Sequence, residues 1–190
     1  MSMRKWMVLT VAVAATLLVG CGDSESTPEP TGASVTASSA IPAMPQDASP
    51  KQATASNDAA LTVTDIELGH QPGLDRVVYY LGGVGKPGWI VRYTDHAAQD
   101  GSGMSIDVSG RSILEVRILG SAYPFDSGVA PYAGPDPVID PSVPGVAGVY
   151  RTTIFEGTTQ SFIGAQEDRP AFTVDTLSNP TRLVVHIAQN

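Results

Sequence analysis

The chain has 190 residues and a mass of 19.8 kDa, the size of one domain with appendages. Eleven Lys and Arg against 19 Asp and Glu give a net charge of −8, which argues against nucleic acid as a partner. One cysteine excludes an intramolecular disulfide framework, and three histidines without a cysteine cluster make a zinc site unsupported.

The N-terminus has the pattern of an export signal. Arg4 and Lys5 form a short basic region, and Trp6 to Gly20 is an uncharged, mostly apolar run. That run is shorter than the roughly 20 residues of a membrane span. It ends in Leu18-Val19-Gly20-Cys21, which resembles a bacterial lipobox and contains the one cysteine of the sequence. The resemblance implies cleavage before Cys21 and diacylglyceryl transfer to its thiol, with residues 1–20 as signal peptide. Loss of residues 1–20 leaves nine basic against 19 acidic residues, so attraction to anionic lipid cannot hold the protein. The expected partner is the cytoplasmic membrane, at its outer face, through the Cys21 lipid.

Residues 21–59 read as a disordered linker. Ser, Thr, Ala and Pro supply 24 of the 38 residues after Cys21, and none is aromatic. Such a composition buries too little apolar surface to offset its ordering entropy.

From Ala60 to Asn190 the pattern changes, and all aromatic residues except Trp6 lie here. Period-two alternation recurs, as in Trp89-Ile90-Val91-Arg92-Tyr93 and Leu114-Glu115-Val116-Arg117-Ile118. Strands are expected at 61–69, 74–82, 87–94, 104–108, 112–119, 151–156, 160–165, 171–177 and 181–188. The first should carry a bulge, because its alternation changes phase between Val63 and Ile66. Turn signals such as Gln71-Pro72-Gly73 and Ser178-Asn179-Pro180 separate the strands. The expected fold is all-β, a compact β-sandwich of about nine strands. Residues 121–150 break the pattern with six prolines and four glycines. The aromatics Tyr123, Phe125, Tyr132 and Tyr150 argue that this segment is ordered along the sandwich, where it could cover a sheet edge.

Several segments together resemble the actinobacterial AMIN-like domain. These are Gly73-Leu74-Asp75-Arg76-Val77-Val78, the Trp89–Tyr93 strand, Asp100-Gly101-Ser102-Gly103, and Phe155-Glu156-Gly157-Thr158-Thr159-Gln160-Ser161-Phe162-Ile163-Gly164. Arg169-Pro170-Ala171-Phe172-Thr173-Val174 and Asn179-Pro180-Thr181-Arg182-Leu183-Val184-Val185 follow in order. The resemblance covers about residues 61–188. It implies a secreted or lipid-anchored all-β module related to AMIN domains, which sit beside cell-wall amidases and secretins and direct them to peptidoglycan. It supplies no catalytic residues.

The residues themselves offer no catalytic or cofactor motif. Gly-x-Ser-x-Gly, His-Glu-x-x-His and a phosphate-cradling Gly-Lys-Ser/Thr are all missing from the sequence. No cofactor, no metal and no enzymatic activity are expected. The expected role is a non-catalytic envelope module that binds peptidoglycan or another wall component. Carriage of a small apolar ligand, or positioning of an envelope enzyme or secretion complex through protein contacts, are the alternatives. The expected ligand surface lies where the 121–150 loop meets the Glu156–Gln160 turn. There Tyr132 and Tyr150 would offer stacking faces, and Arg151 and Gln160 polar contacts. In the alternative reading both tyrosines pin the loop to the sheet. The strand arginines suit ligand carboxylates, or else pair with acidic residues on neighbouring strands.

Overall fold

A computed structural model describes residues 43–189, the side chain of Thr152 excepted. The expected leader, Cys21 and the first half of the expected linker lie outside the described residues. In sequence order the elements are β1 (Lys51–Ala53), β2 (Ala60–Gln71), β3 (Leu74–Val84), β4 (Gly88–Thr94), β5 (Ser112–Leu119), the one-turn α1 (Pro124–Ser127), β6 (Val146–Phe155), β7 (Thr158–Ala165), β8 (Phe172–Leu177) and β9 (Arg182–Ala188).

They form the expected β-sandwich. One sheet has the order β1-β4-β5-β7-β6, the other β2-β3-β9-β8, and every neighbouring pair is antiparallel. Alternation decides what meets between the sheets. Trp89, Val91, Leu114, Val116, Ile118, Val149 and Ile163 come from the first; Val63, Val77, Tyr79, Leu183, Val185 and Phe172 come from the second. Each fully buried aliphatic contributes roughly 1.5–3 kcal/mol. Tyr79 is fully buried, and its hydroxyl meets Ser161 Oγ at 3.1 Å. The expected phase change in β2 is a bulge, with the register shifting between Val63 and Asp65.

Two expectations need correction. No strand forms over 104–108. The segment 95–111 instead crosses the outer face of the five-stranded sheet, where Ala97, Ile106 and Val108 pack on Tyr150, Phe162 and Ile113. Its alternation is real, but it buries one face against a sheet already complete and makes only the Ala98–Ser105 bridge. The second correction concerns the linker. Residues 51–53, expected to be disordered, pair with Val91, Ile90 and Trp89 as β1. Backbone pairing orders this stretch, so its polar composition gave no signal.

Irregular segments close both seams of the sandwich. At the β4/β8 seam, the Phe172 N–H donates to the Asp47 carbonyl at 3.0 Å and Lys51 Nζ lies 4.4 Å from the Phe172 ring centre. Tyr93 donates to the Pro170 carbonyl at 2.7 Å and meets Phe172 edge-on. At the β2/β6 seam, the loop after β5 runs first along β2. The Leu61 N–H donates to Gly120 O, and the Ala122 and Tyr132 N–H groups donate to Leu61 O and Val63 O, at 3.0, 2.8 and 2.7 Å. The same loop then joins β6, where Val138 and Val149 exchange both backbone bonds. The 121–150 segment thus covers a sheet edge as expected, and its last five residues belong to β6.

Since β1 and the Asp47 contact staple one seam, a protein beginning at residue 60 should be less stable than one beginning at residue 43, by about 2–4 kcal/mol for several lost hydrogen bonds and packing contacts. Paired urea melts measure this. Coincident curves would show that residues 43–59 add nothing to the fold.

Candidate functional site

The loop that crosses from β2 to β6 leaves a groove of about 200 Å³ beneath it. Ile66, Val138 and Val149 give it apolar surface, and Tyr132, Asp136 and Arg151 give it polar groups. It is smaller than the ~300–1,000 Å³ of drug-sized sites, and it suits a single sugar or amino-acid unit.

Local geometry positions each polar group. Tyr132 is held through its backbone N–H on Val63 and through its hydroxyl, which donates to the Pro135 carbonyl at 2.8 Å. Residue 134 must be glycine for this, because a Cβ there would run into the Tyr132 ring. Partial burial, and then the nearby Asp65 and Asp136 carboxylates, push the Tyr132 phenol up, so it stays neutral. Arg151 sits where β6 loses register with β7, between Tyr150 and Thr153. Its φ is +41°, left-handed backbone that costs a residue with a Cβ roughly 1–2 kcal/mol. Its N–H donates to Asp136 Oδ1 at 2.8 Å, which ties the bulge to the loop. Bulges re-aim side chains in this way. Arg151 is exposed, and among the described residues its guanidinium has no acidic partner.

Tyr132 and Arg151 are therefore brought together, while Tyr150 and Gln160 are not exposed and do not reach the groove. Tyr150 is 8% exposed, packs on Ala97 and Phe162, and accepts the Ser109 N–H at 3.0 Å. Gln160 is 4% exposed; its Oε1 accepts the Asp100 N–H at 2.9 Å, and its Nε2 donates to Ala98 O and Glu115 Oε1 at 3.1 and 3.0 Å. The reason is the cover formed by residues 95–111, which takes up the polar groups expected to face a ligand. Thr159 is likewise consumed, by Ser121 Oγ. Asp136 is the polar groove residue missing from the expected ligand contacts; in the sequence it reads as one of three solvated turn acids, with Asp126 and Asp140, in the Pro-rich 121–150 segment.

Several other charged groups are internally matched. Arg92 and Arg117 both bind Glu115, at 3.0 and 3.1 Å, and Arg117 also binds Asp100 at 2.7 Å. Burial works to raise the Glu115 carboxyl, but hydrogen bonds from Gln160, Arg92 and Arg117 together hold it below the usual glutamate range. The fully buried Asp75 accepts from the Gly145 N–H and Gln189 Nε2, each at 2.6 Å, and meets His70 Nδ1 at 2.7 Å. This joins the β2–β3 hairpin to the start of β6 and to the segment after β9. Burial, opposed by Asp175 and aided by Arg76, pushes His186 down.

Two outcomes follow from these contacts. Replacing Arg151 with Gly relieves the left-handed backbone, so thermal melting should show a stability equal to wild type or up to about 1 kcal/mol higher. A loss of more than about 1 kcal/mol would make the arginine a structural residue. Because the Glu115 carboxyl is lowered in the folded state, its stabilising effect is complete above the ordinary glutamate value and is lost as pH falls through the lower folded value. Glu115→Ala should cost roughly 1–3 kcal/mol at neutral pH, and the gap to wild type should narrow on acidification to about pH 3. A gap independent of pH would contradict the network.

The sequence profile of one family, the AMIN-like domain, matches residues 61–189. No curated protein and no solved structure matches the sequence. The profile match runs from the second residue of β2 to Gln189, just past β9, and so takes in both edges that form the groove. The chain belongs to the AMIN-like domain family.

Proposed function

We propose that this protein is a non-catalytic cell-envelope module that binds peptidoglycan and is held at the outer face of the cytoplasmic membrane by a lipid on Cys21. Membership in the AMIN-like family supports a peptidoglycan-related binding role. The observation that carries the reading is the groove at the β2/β6 seam, where the Tyr132 ring and the unpaired Arg151 guanidinium line one hollow. An aromatic face and a planar donor are the two elements that recognise wall sugars and peptide carboxylates. Tethering would keep the domain near the wall, so local concentration would offset modest intrinsic affinity.

A second reading, a protein-docking module, has its own observation. Tyr123 and Phe125 stack with parallel rings 5.4 Å apart, and Phe125 is 81% exposed. Such a pair is a candidate contact for another envelope protein.

Co-sedimentation with purified peptidoglycan separates the two. The protein lacking residues 1–21 should pellet with the wall material. An Arg151→Gln variant should remain in the supernatant with an unchanged melting temperature, while Phe125→Ala should pellet like wild type. Failure of wild type to pellet at low salt would overturn the wall-binding reading.

A further inference from the structure

We infer that the groove receives the zwitterionic end of a peptide, an amino-acid centre that carries a free carboxylate beside a free ammonium. This deepens the wall-binding reading and rests on it.

The groove holds one cation and one anion. Arg92, Arg117 and Arg169 are each paired to a carboxylate, with closest contacts of 3.0, 2.7 and 2.6 Å. Arg151, like Arg76 and Arg182, has no such partner among the described residues, but unlike them it stands on a left-handed backbone at a bulge and lines the groove. A guanidinium displayed at conformational cost and left unpaired is suited to a planar carboxylate from outside. Asp136 is the counterpart. Its Oδ1 takes the Arg151 N–H, and its Oδ2 has no partner among the described residues. It is exposed, so it remains available to an ammonium group.

Charge then selects among ligands. A purely anionic group would meet Asp136 within a protein of net charge −8. A purely cationic group would meet Arg151. A neutral sugar would leave both charges unmatched as the groove lost its water. A carboxylate and an ammonium on one carbon centre answer both. The neutral Tyr132 phenol adds no competing charge, because its hydroxyl is already spent on Pro135. About 200 Å³ has room for one such centre with the apolar Ile66, Val138 and Val149 beside its alkyl stem. In a wall peptide, the distal end of a diamino diacid that has not been cross-linked presents this chemistry.

The test uses the protein lacking residues 1–21 and a synthetic stem tripeptide. Its third residue is diaminopimelate, with the α-carboxyl at the peptide terminus amidated so that the distal end carries the diaminopimelate zwitterion. Two further peptides carry that distal end with its carboxylate amidated or its amine acetylated. By calorimetric titration, each modification should weaken wild-type binding about tenfold or more, the scale of a lost charge-assisted contact. Arg151→Gln should bind the carboxylate and amide forms equally. Asp136→Asn, which keeps the carbonyl acceptor for the Arg151 N–H, should bind the amine and acetyl forms equally. Both variants should melt as wild type does. Wild-type affinity that is absent, or indifferent to both modifications, overturns the inference. So do losses that persist unchanged in the variants. Sedimentation with whole peptidoglycan, run in parallel, separates the two claims. Pelleting with no response to the peptide modifications leaves wall binding standing and removes the zwitterion. The expected peptide pattern without pelleting keeps the groove's chemistry and removes the wall.

Discussion

A sandwich of two open sheets leaves four edge strands, and each edge exposes backbone donors and acceptors that water or protein must satisfy. The rest of this molecule depends on how those edges are covered. At one seam, β1 extends the five-stranded sheet and the Asp47 carbonyl takes the Phe172 N–H from the facing sheet. At the other, one loop pairs first with Leu61 and Val63 of β2 and then with Val149 of β6. Neither device is a long strand. Both use irregular segments that contain proline, which cannot continue a ladder and so does not invite a further copy to add on.

The groove is a consequence of the second closure. A loop that must cross from one sheet edge to the other cannot follow the packed core, and it leaves a hollow where it changes partners. The bulge at Tyr150–Thr153 turns Arg151 toward that hollow, and the Asp136 carboxylate locks the turn. Buried charges elsewhere are matched inside, as the Glu115 cluster and the threefold coordination of Asp75 show. Arg151 differs in combining a guanidinium without an acidic partner, a left-handed backbone and a place in the groove. Strain and an unsatisfied charge in one place are the pattern expected where a fold departs from its own consistency for the sake of a ligand.

Much of the fold was legible because alternation is a direct record of two-sided strands. Leu114, Val116 and Ile118, and Leu183, Val185 and Ile187, recur at every second position and lie in the core between the sheets, and the phase change before Ile66 marked the bulge seen in β2. What escaped was order that alternation does not encode. Residues 51–53 are too few and too polar to show a strand pattern, although Lys51 packs on Phe172 and Ala53 on the core. The 104–108 stretch alternates as a strand would, yet it serves as cover for Phe162 and Tyr150. That same cover explains why half of the expected site was misplaced. Tyr150 and Gln160 are outward-facing by strand parity, and only the tertiary path of residues 95–111 buries them. Tyr132 and Arg151 were legible as a pair because one lies in the loop and the other on the strand that the loop rejoins.

The central claim is that the seams are closed by stable pairing, which makes the groove a preformed site. Native-state hydrogen exchange at the amides of Leu61, Ala122, Tyr132 and Phe172 tests it most directly. Each of these N–H groups is bonded to a seam-closing segment or by one. The account predicts protection close to that of the β3 and β9 core amides, lost only with global unfolding. Exchange at these four amides as fast as in an unstructured peptide, while β3 and β9 remain protected, would contradict it.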